Sequence, residues 1–297
     1  MASPSRTELV FHHDAKRYTL PTTVVAVLPF ASMASANKAL FKQGQQEEAA
    51  AEGAPAATRY YAVVTEATVF HAQGGGQPSD VGTITAGEGD SAAAFNVLSA
   101  RMDAVQAGQV LHFGQFTSGS ADNFAVGTTV TQAIDVDKRI LYSRLHTAGH
   151  VLGAAVRHLV EKEVEGFDEL KASHFPDAAS CEFRGKIEGT WKDPIQARVA
   201  EYISKAMPVE IDWWDAADFR KNGLERLIPQ PAAPSSTTSE APTEKWRIVR
   251  IVGAEVYPCG GTHVDTTDLC GETKVTKISR SKGISRVSYA LADMGKQ

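Results

Sequence analysis

The chain has 297 residues, 43% of them hydrophobic and 22% charged, and a formal net charge of -5. That length suits two domains or one large domain with insertions, and the composition reads as an ordinary globular protein. No apolar run approaches the ~18 residues of a membrane-spanning helix, and the acidic balance argues against nonspecific nucleic-acid binding.

The first residues, MASPSRTELVFHHDAKRY, carry neither the apolar stretch of a secretory signal nor the acid-poor, Arg-rich pattern of a transit peptide. A cytoplasmic location is therefore expected. Three cysteines, Cys181, Cys259 and Cys270, are too few for a disulfide framework. They favour a reducing compartment and a chemical or metal role for at least one thiol.

Residues 1–137 alternate short strand-like runs with Gly-rich turns: RYTL, TTVVAVLP, YYAVVTEATVF, GTITAG, FNVLSA, QVLHFGQF and TTVTQAIDV. Many short strands with regular turn signals predict a small β-barrel. Within this domain, KQGQQEEAAAEGAPAAT (42–58) has almost no large apolar residue and is expected to be a disordered surface insertion, with a short frayed helix as the alternative.

The barrel region also holds VFHAQGGGQPSDVG (69–82). Three successive glycines let a backbone pass close to another object and offer N–H groups to an anion. No GK[ST] follows, and GxGxxG is not matched, so the stretch is either a turn capped by Gln77 and Asp80 or part of a site.

From residue 138 the pattern changes to an α+β second domain, 138–297. LYSRLHTAGHVLGAAVRHLVEKE repeats apolar residues every three or four positions and predicts a helix of several turns. Asp193 as N-cap and Pro194 at the first helical position predict a second helix running to Pro208. Strands are expected at SCEFRGKIEG, PVEIDWW, KWRIVRIV and the pair KVTKISRS and ISRVSYAL, turning at Lys282-Gly283. The tract PQPAAPSSTTSEAPTE (229–244) reads as a second disordered insertion.

His146 and His150, four apart on the first helix, lie on one face about 6 Å apart along its axis and can bring two imidazoles to one ion. HxxxH alone is either a ligand pair or an accident of a buried helix. YPCGGTHVD (257–265) adds Cys259 and His263 in a Pro-Gly-Gly turn. The two pairs together make an N3S set suited to tetrahedral Zn2+. The bland alternative is that Cys259 is a small buried hydrophobe and His263 a satisfied core histidine. A metalloprotease site needs HExxH, and Thr147 follows the first histidine here. His12, His13, His112 and His158 read as structural or solvated, whereas His71 and His174 each neighbour a motif.

GGGQPSDVG, LHTAGHVL and PCGGTHV, in that order, resemble the alanyl-tRNA editing family, the AlaX proteins, which are freestanding relatives of the editing domain of alanyl-tRNA synthetase. KASHFPDAASCEF, which contains His174, resembles a pocket-lining stretch of its eukaryotic members. The resemblance covers roughly 18–40 and 59–297, outside the two insertions. It implies a small β-barrel followed by an α+β domain of the threonyl/alanyl-tRNA synthetase second-additional-domain type.

The implied activity is hydrolysis of seryl-tRNA(Ala), with glycyl-tRNA(Ala) a further substrate, by a chain acting in trans as a monomer or homodimer. His146, His150, Cys259 and His263 match the family's zinc ligands. Gly74, Gly75, Gly76 and Gln77 match its glycine-rich motif, and Thr147 matches a position connected with sensing the substrate side chain. Gly149 departs from the larger residue usual there, and either enlarges the pocket or loosens the helix.

An alanine-shaped site rejects an added hydroxyl by only ~100-fold, so a second hydrolytic site must accept serine and spare alanine. Thr147, Thr262 and Gln77 are the candidates for reading the serine hydroxyl. Each threonine has the alternative of a helix or turn hydrogen bond to backbone. Backbone N–H groups near Gly75 and Gly260 are expected to complete the site.

From Trp246 to the end, eight Lys/Arg stand against five Asp/Glu, a local charge of +3 that leaves -8 for the remainder. Lys274, Lys277, Arg280, Lys282 and Arg286 cluster in the last hairpin, suited to acceptor-stem phosphates or to a solvated strand edge. Two other functions fit the same motifs: a non-catalytic zinc-stabilised RNA-binding module, and a metallohydrolase of another small ester or amide.

Overall fold

The computed structural model describes residues 6–50, 59–89, 92–229 and 245–293. Two compact units divide the chain: residues 1–74 with 78–141, and residues 75–77 with 142–297.

In the first unit, strands β1 (Thr19–Pro29), β2 (Tyr61–Thr65), β3 (Gly82–Ala86), β4 (Ala93–Met102), β5 (Val110–Ser118) and β6 (Thr129–Ile134) close into a barrel in the order β1-β2-β5-β4-β3-β6. Every neighbouring pair is antiparallel. This is the barrel expected from the alternating runs. Val63, Ile84, Phe95, Val97, Val110 and Val130 fill one core, while the intervening Ala62 and Val64 join Phe30, Phe41, Leu111 and Phe113 in another. A strand buried on both faces loses the apolar–polar alternation of a half-exposed one.

His112 lies wholly inside this barrel, its ring nitrogens bonded to the Thr68 hydroxyl at 2.7 Å and the Val63 carbonyl at 2.9 Å. Burial pushes its pKa down to about 4, against the Val63 hydrogen bond that favours the protonated form.

Over its first half the insertion at 42–58 takes the short-helix alternative rather than disorder. Lys42–Ala50 forms helix α1. Gln, Glu and Ala are good helix formers, and Gly44 rests on the ring of Phe30. Residues 51–58, like 230–244 of the second insertion, lie outside the described residues.

Helix α2 (Val136–Val160) is the long helix predicted from the periodicity. Leu145, Ala148, Val151, Leu152, Ala155 and Val156 are fully buried, and buried residues encircle its middle turns.

In the second unit, β7 (Asp168–Ser173), β8 (Ser180–Arg184), β12 (Thr273–Ser281) and β13 (Ile284–Leu291) form an antiparallel sheet in the order β12-β13-β8-β7. This sheet is tied to α2: the Tyr289 hydroxyl donates to the Leu145 carbonyl at 2.9 Å, Cys181 Sγ lies 3.5 Å from the Gly149 carbonyl, and Arg157 pairs with Glu169 at 2.7 Å. A second antiparallel sheet, β9-β10-β11, comprises Val209–Trp214, Trp246–Ile251 and Glu255–Pro258.

The second predicted helix is α3, Lys192–Ser204, so Asp193 is not its N-cap. The turn Gly189–Trp191 runs straight into it, leaving Asp193 in the first turn, where a carboxylate complements the helix dipole. Helix α4, Ala216–Lys221, was not foreseen; Asp215 caps it, with Asp218 completing a capping box. No helix among the described residues is long and apolar enough to cross a membrane.

Candidate metal centre

His146, His150, Cys259 and His263 converge in the second unit, with one ligand atom from each lying within 4.8 Å of all the others. Cys259 Sγ is 3.4 Å from His146 Nε2 and 3.5 Å from His263 Nε2. The two helical histidines come from successive turns of α2, their rings stacked 5.1 Å apart. Cys259 follows directly on β11, held by its N–H to the Arg247 carbonyl at 3.1 Å and by Arg247 donating to its carbonyl at 2.6 Å.

Each histidine is fixed through its other nitrogen. His146 Nδ1 donates to Gln77 Oε1 at 2.7 Å, His150 Nδ1 to the Glu255 carboxylate at 2.8 Å, and His263 Nδ1 to Thr147 Oγ1 at 3.3 Å. With Nδ1 protonated, each Nε2 carries the lone pair that a metal requires. His150 Nε2 is buried with no hydrogen-bond partner, a cost that an ion would remove.

The charge balance is that of a cation site. Burial raises the Cys259 thiol, but the nearness of the His150 imidazole outweighs it and holds the thiol below its ordinary range. Burial lowers His150, and the Glu255 carboxylate more than offsets this, pushing its pKa up to about 10, so that without an ion Nε2 holds a proton whose place a metal would take. Three imidazole nitrogens and a thiolate-favouring sulfur fit a zinc ion in both number and donor chemistry.

Gln77, Thr147 and Thr262, the candidates for reading a substrate side chain, are hydrogen-bonded within the centre and do not line the cavity. All three are fully buried. Gln77 Oε1 accepts from His146 and from the Thr262 N–H at 2.9 Å, while its Nε2 donates to Thr262 Oγ1 at 2.8 Å. Thr262 Oγ1 also meets Ser143 Oγ at 2.7 Å. Thr147 donates to the Ser143 carbonyl at 2.9 Å and accepts from the Val264 N–H at 3.1 Å. Their polar atoms are spent holding the histidines and the CGGTH turn.

Beside the metal donors lies a cavity of about 330 Å3 lined by Gly75, Gly76, His146, Gly149, His150, Glu169, His174, Cys181, Glu255, Tyr257, Cys259 and Gly260, among others. Gly76 sits at φ +81°, and a Cβ there would fall 2.4 Å from the Ala172 carbonyl oxygen. A side chain at this point would have to push the backbone of β7 away. Gly74 groups with the first unit and Gly75–Gln77 with the second.

Gly149 lines the cavity and leaves room beside the helix for an imidazole. A Cβ at this position would lie 2.3 Å from His174 Cε1 and 2.5 Å from its Nδ1. The glycine is where an imidazole packs onto the helix. His174 stacks on His146 with centroids 4.2 Å apart, and its Nδ1 meets the Tyr289 hydroxyl at 2.7 Å. Burial pushes its pKa down to about 3, with the nearby charge of His150 acting in the same direction.

The basic hairpin is less free than its composition suggests. Arg280 pairs with Glu188, Arg286 reaches Glu182 at 2.9 Å, and Lys274 lies 3.4 Å from Glu272. Lys277 and Lys282 are exposed, Lys282 occupying the turn at φ +51°.

Several residues of the centre escaped sequence reasoning. Glu255, Ser143, Glu169 and Tyr289 carry no motif of their own; Ser143 alone had a positional signal, one helical turn before His146 and Thr147 on the same face. Asp80, for which a turn cap was one of two alternatives, forms a buried ion pair with Arg139 in the first unit. Arg139 Nε reaches its carboxylate at 3.0 and 3.1 Å, and the same carboxylate accepts from the His71 N–H at 2.6 Å.

Residues 246–288, which include Cys259 and His263, match the threonyl and alanyl tRNA synthetase second additional domain. Over 229 residues the chain is 28% identical to the alanyl-tRNA editing protein AlaX-L of Pyrococcus horikoshii, covering 76% of this chain and 50% of that protein. By sequence the chain is AlaX-like.

The same AlaX-like sequence is 26% identical to the alanine–tRNA ligase of Methanosphaera stadtmanae, across 98% of this chain and 27% of the ligase. Alanine–tRNA ligase 1 of Lachnoclostridium phytofermentans is 31% identical across 75% of this chain and 23% of the ligase. The chain thus spans between about a quarter and a half of the length of these relatives.

Proposed function

We propose that the chain is an aminoacyl-tRNA deacylase that hydrolyses the ester of seryl-tRNA(Ala), at a zinc-binding centre held by His146, His150, Cys259 and His263. The observation that carries this reading is the cavity of about 330 Å3 that these four donors border. It is large enough for a small ligand group, and the relatives that this chain resembles in sequence include an alanyl-tRNA editing protein and alanine–tRNA ligases. A cytoplasmic location and tRNA(Ala) as partner belong to the same proposal, as do the domain limits 1–137 and 138–297.

Zinc held by four protein donors would supply a fixed positive charge rather than the open coordination position of a catalytic zinc site. The work of the chain's own residues is positioning. Gln77, Thr147, Thr262 and Glu255 hold the ligating side chains in place. The backbone around Gly75, Gly76 and Gly260 borders the cavity and would admit the aminoacyl ester, its N–H groups facing the charge that develops on the carbonyl oxygen as water adds. Cleavage of the ester releases the free amino acid and restores the terminal ribose hydroxyl. Lys277 and Lys282, with Arg280 and Arg286 from weak surface pairs, would meet acceptor-stem phosphates.

The test is a deacylation assay of the purified protein on seryl-tRNA(Ala), with alanyl-tRNA(Ala) as the control. Release of serine with alanine spared supports the proposal. Binding of both tRNAs without turnover indicates a zinc-stabilised RNA-binding module instead, and inertness toward both indicates another small ester or amide as substrate.

A further inference from the structure

Gln77, Thr147 and Thr262 are engaged with the metal donors, so the cavity needs another polar group to recognise a substrate side chain. His174 is 3% exposed, lines the cavity and stacks on His146. Its backbone is anchored by the N–H donating to the Gly76 carbonyl at 2.9 Å.

The tautomer of its ring follows from a chain of two hydrogen bonds. The Tyr289 hydroxyl has one proton and gives it to the Leu145 carbonyl at 2.9 Å. The contact between that oxygen and His174 Nδ1, at 2.7 Å, must therefore be donated by the imidazole. Nδ1 carries the proton, and Nε2 is left with a lone pair.

Two glycines flank that lone pair. A Cβ at Gly76 would lie 3.1 Å from His174 Cδ2, and one at Gly149 would lie 2.3 Å from Cε1, the two ring atoms on either side of Nε2. Both glycines line the cavity. Nε2 has no hydrogen-bond partner among the described residues. An acceptor on a cavity-lining residue that is only 3% exposed, held by a fixed tautomer and bordered by positions without side chains, is suited to a ligand that brings a hydrogen-bond donor.

We propose that His174 is the specificity-determining residue of this site, accepting a hydrogen bond at Nε2 from the side-chain hydroxyl of the aminoacyl group, and that Gly149 is glycine to let His174 stand there. The inference rests on the deacylase reading above and narrows it to hydroxyl-bearing side chains. Glycine and alanine bring no donor and leave Nε2 unpaired, so serine is preferred over both. A site built around a substrate hydroxyl discriminates against analogues that lack it.

Two measurements test this. Wild-type, His174→Ala and Tyr289→Phe proteins are assayed on seryl- and glycyl-tRNA(Ala), and the ratio of kcat/KM for the two substrates is compared. His174→Ala is expected to lower the seryl-to-glycyl ratio by about tenfold, the worth of one net hydrogen bond, with glycyl hydrolysis little changed. Tyr289→Phe keeps the ring but removes the acceptor for Nδ1–H, and is expected to lower the ratio in the same direction.

Equal loss on both substrates, or an unchanged ratio, overturns the assignment while leaving the deacylase reading intact. A wild-type protein inert toward both substrates refutes that reading and the inference with it. Independently of activity, 15N NMR of His174 should report protonation at Nδ1 in the wild type and a mixture of tautomers in Tyr289→Phe. An Nε2–H tautomer in the wild type would overturn the proposal.

Discussion

Replacing Glu255 by Gln tests whether the ring of partners around the four donors is a metal-holding shell. Glu255 Oε2 accepts from His150 Nδ1 at 2.8 Å, and this contact aims the orphaned His150 Nε2 at the other donors. Both side chains are about nine-tenths buried, His150 at 10% and Glu255 at 8% exposure. The bond is thus little screened by water. Gln keeps the shape and one acceptor oxygen but removes the charge that makes His150 a stronger base.

Losing such a partner typically weakens metal affinity by about 10- to 100-fold, or ~1.4–2.7 kcal/mol. Competition with a chromogenic chelator on the purified proteins measures it. Zinc affinity within twofold of the wild type would refute the account of Glu255, and an apoprotein with unchanged thermal stability and no measurable zinc in either form would refute the centre itself.

Other consequences reach further from the cavity. Asp80→Ala should leave Arg139 buried without its carboxylate and cost about 3–5 kcal/mol, read as a shift of the urea midpoint; a loss below 1 kcal/mol would show that the pair does not stabilise the first unit. His112 has a folded-state pKa near 4 against an ordinary 6.5, so its contribution is complete above pH 6.5 and is lost as pH falls toward 4. That amounts to about 3 kcal/mol, and His112→Gln should flatten this part of the stability–pH curve. Arg280→Ala with Lys282→Ala should lower the salt dependence of tRNA binding, and an unchanged slope would dismiss the basic hairpin as an RNA contact.

Sequence alone made different parts of this molecule legible to different degrees. The barrel strands and α2 follow from periodicity, because short runs such as GTITA and the apolar repeats of α2 carry local signals. The donor set was legible because ligand geometry imposes spacing: i and i+4 on a helix, and a Gly-Gly turn between a cysteine and a histidine. The strand Asp168–Ser173 was not, since DELKAS has no β-branched or aromatic residue and is a strand only through pairing with Ser180–Arg184.

The partners of the donors were hidden for another reason. Glu255 lies 105 residues from His150 and Thr262 lies 185 from Gln77, so no local pattern announces them. The surroundings of Thr147 were not legible either: it follows a metal donor in sequence, but the helix there is buried all round and its hydroxyl meets Ser143, Val264 and His263. Gly149 left two readings open, a larger pocket or a looser helix, because His174, whose ring takes up its side-chain space, lies 25 residues later in the chain.

The central claim is tested most directly by measuring serine release from seryl-tRNA(Ala) by the wild-type and Cys259→Ala proteins side by side, with zinc content determined on the same samples and alanyl-tRNA(Ala) as control. The account predicts that the wild type carries about one zinc per chain and releases serine but not alanine, and that Cys259→Ala loses both the metal and the activity. A Cys259→Ala protein that has lost zinc and still deacylates seryl-tRNA(Ala) at the wild-type rate would contradict it.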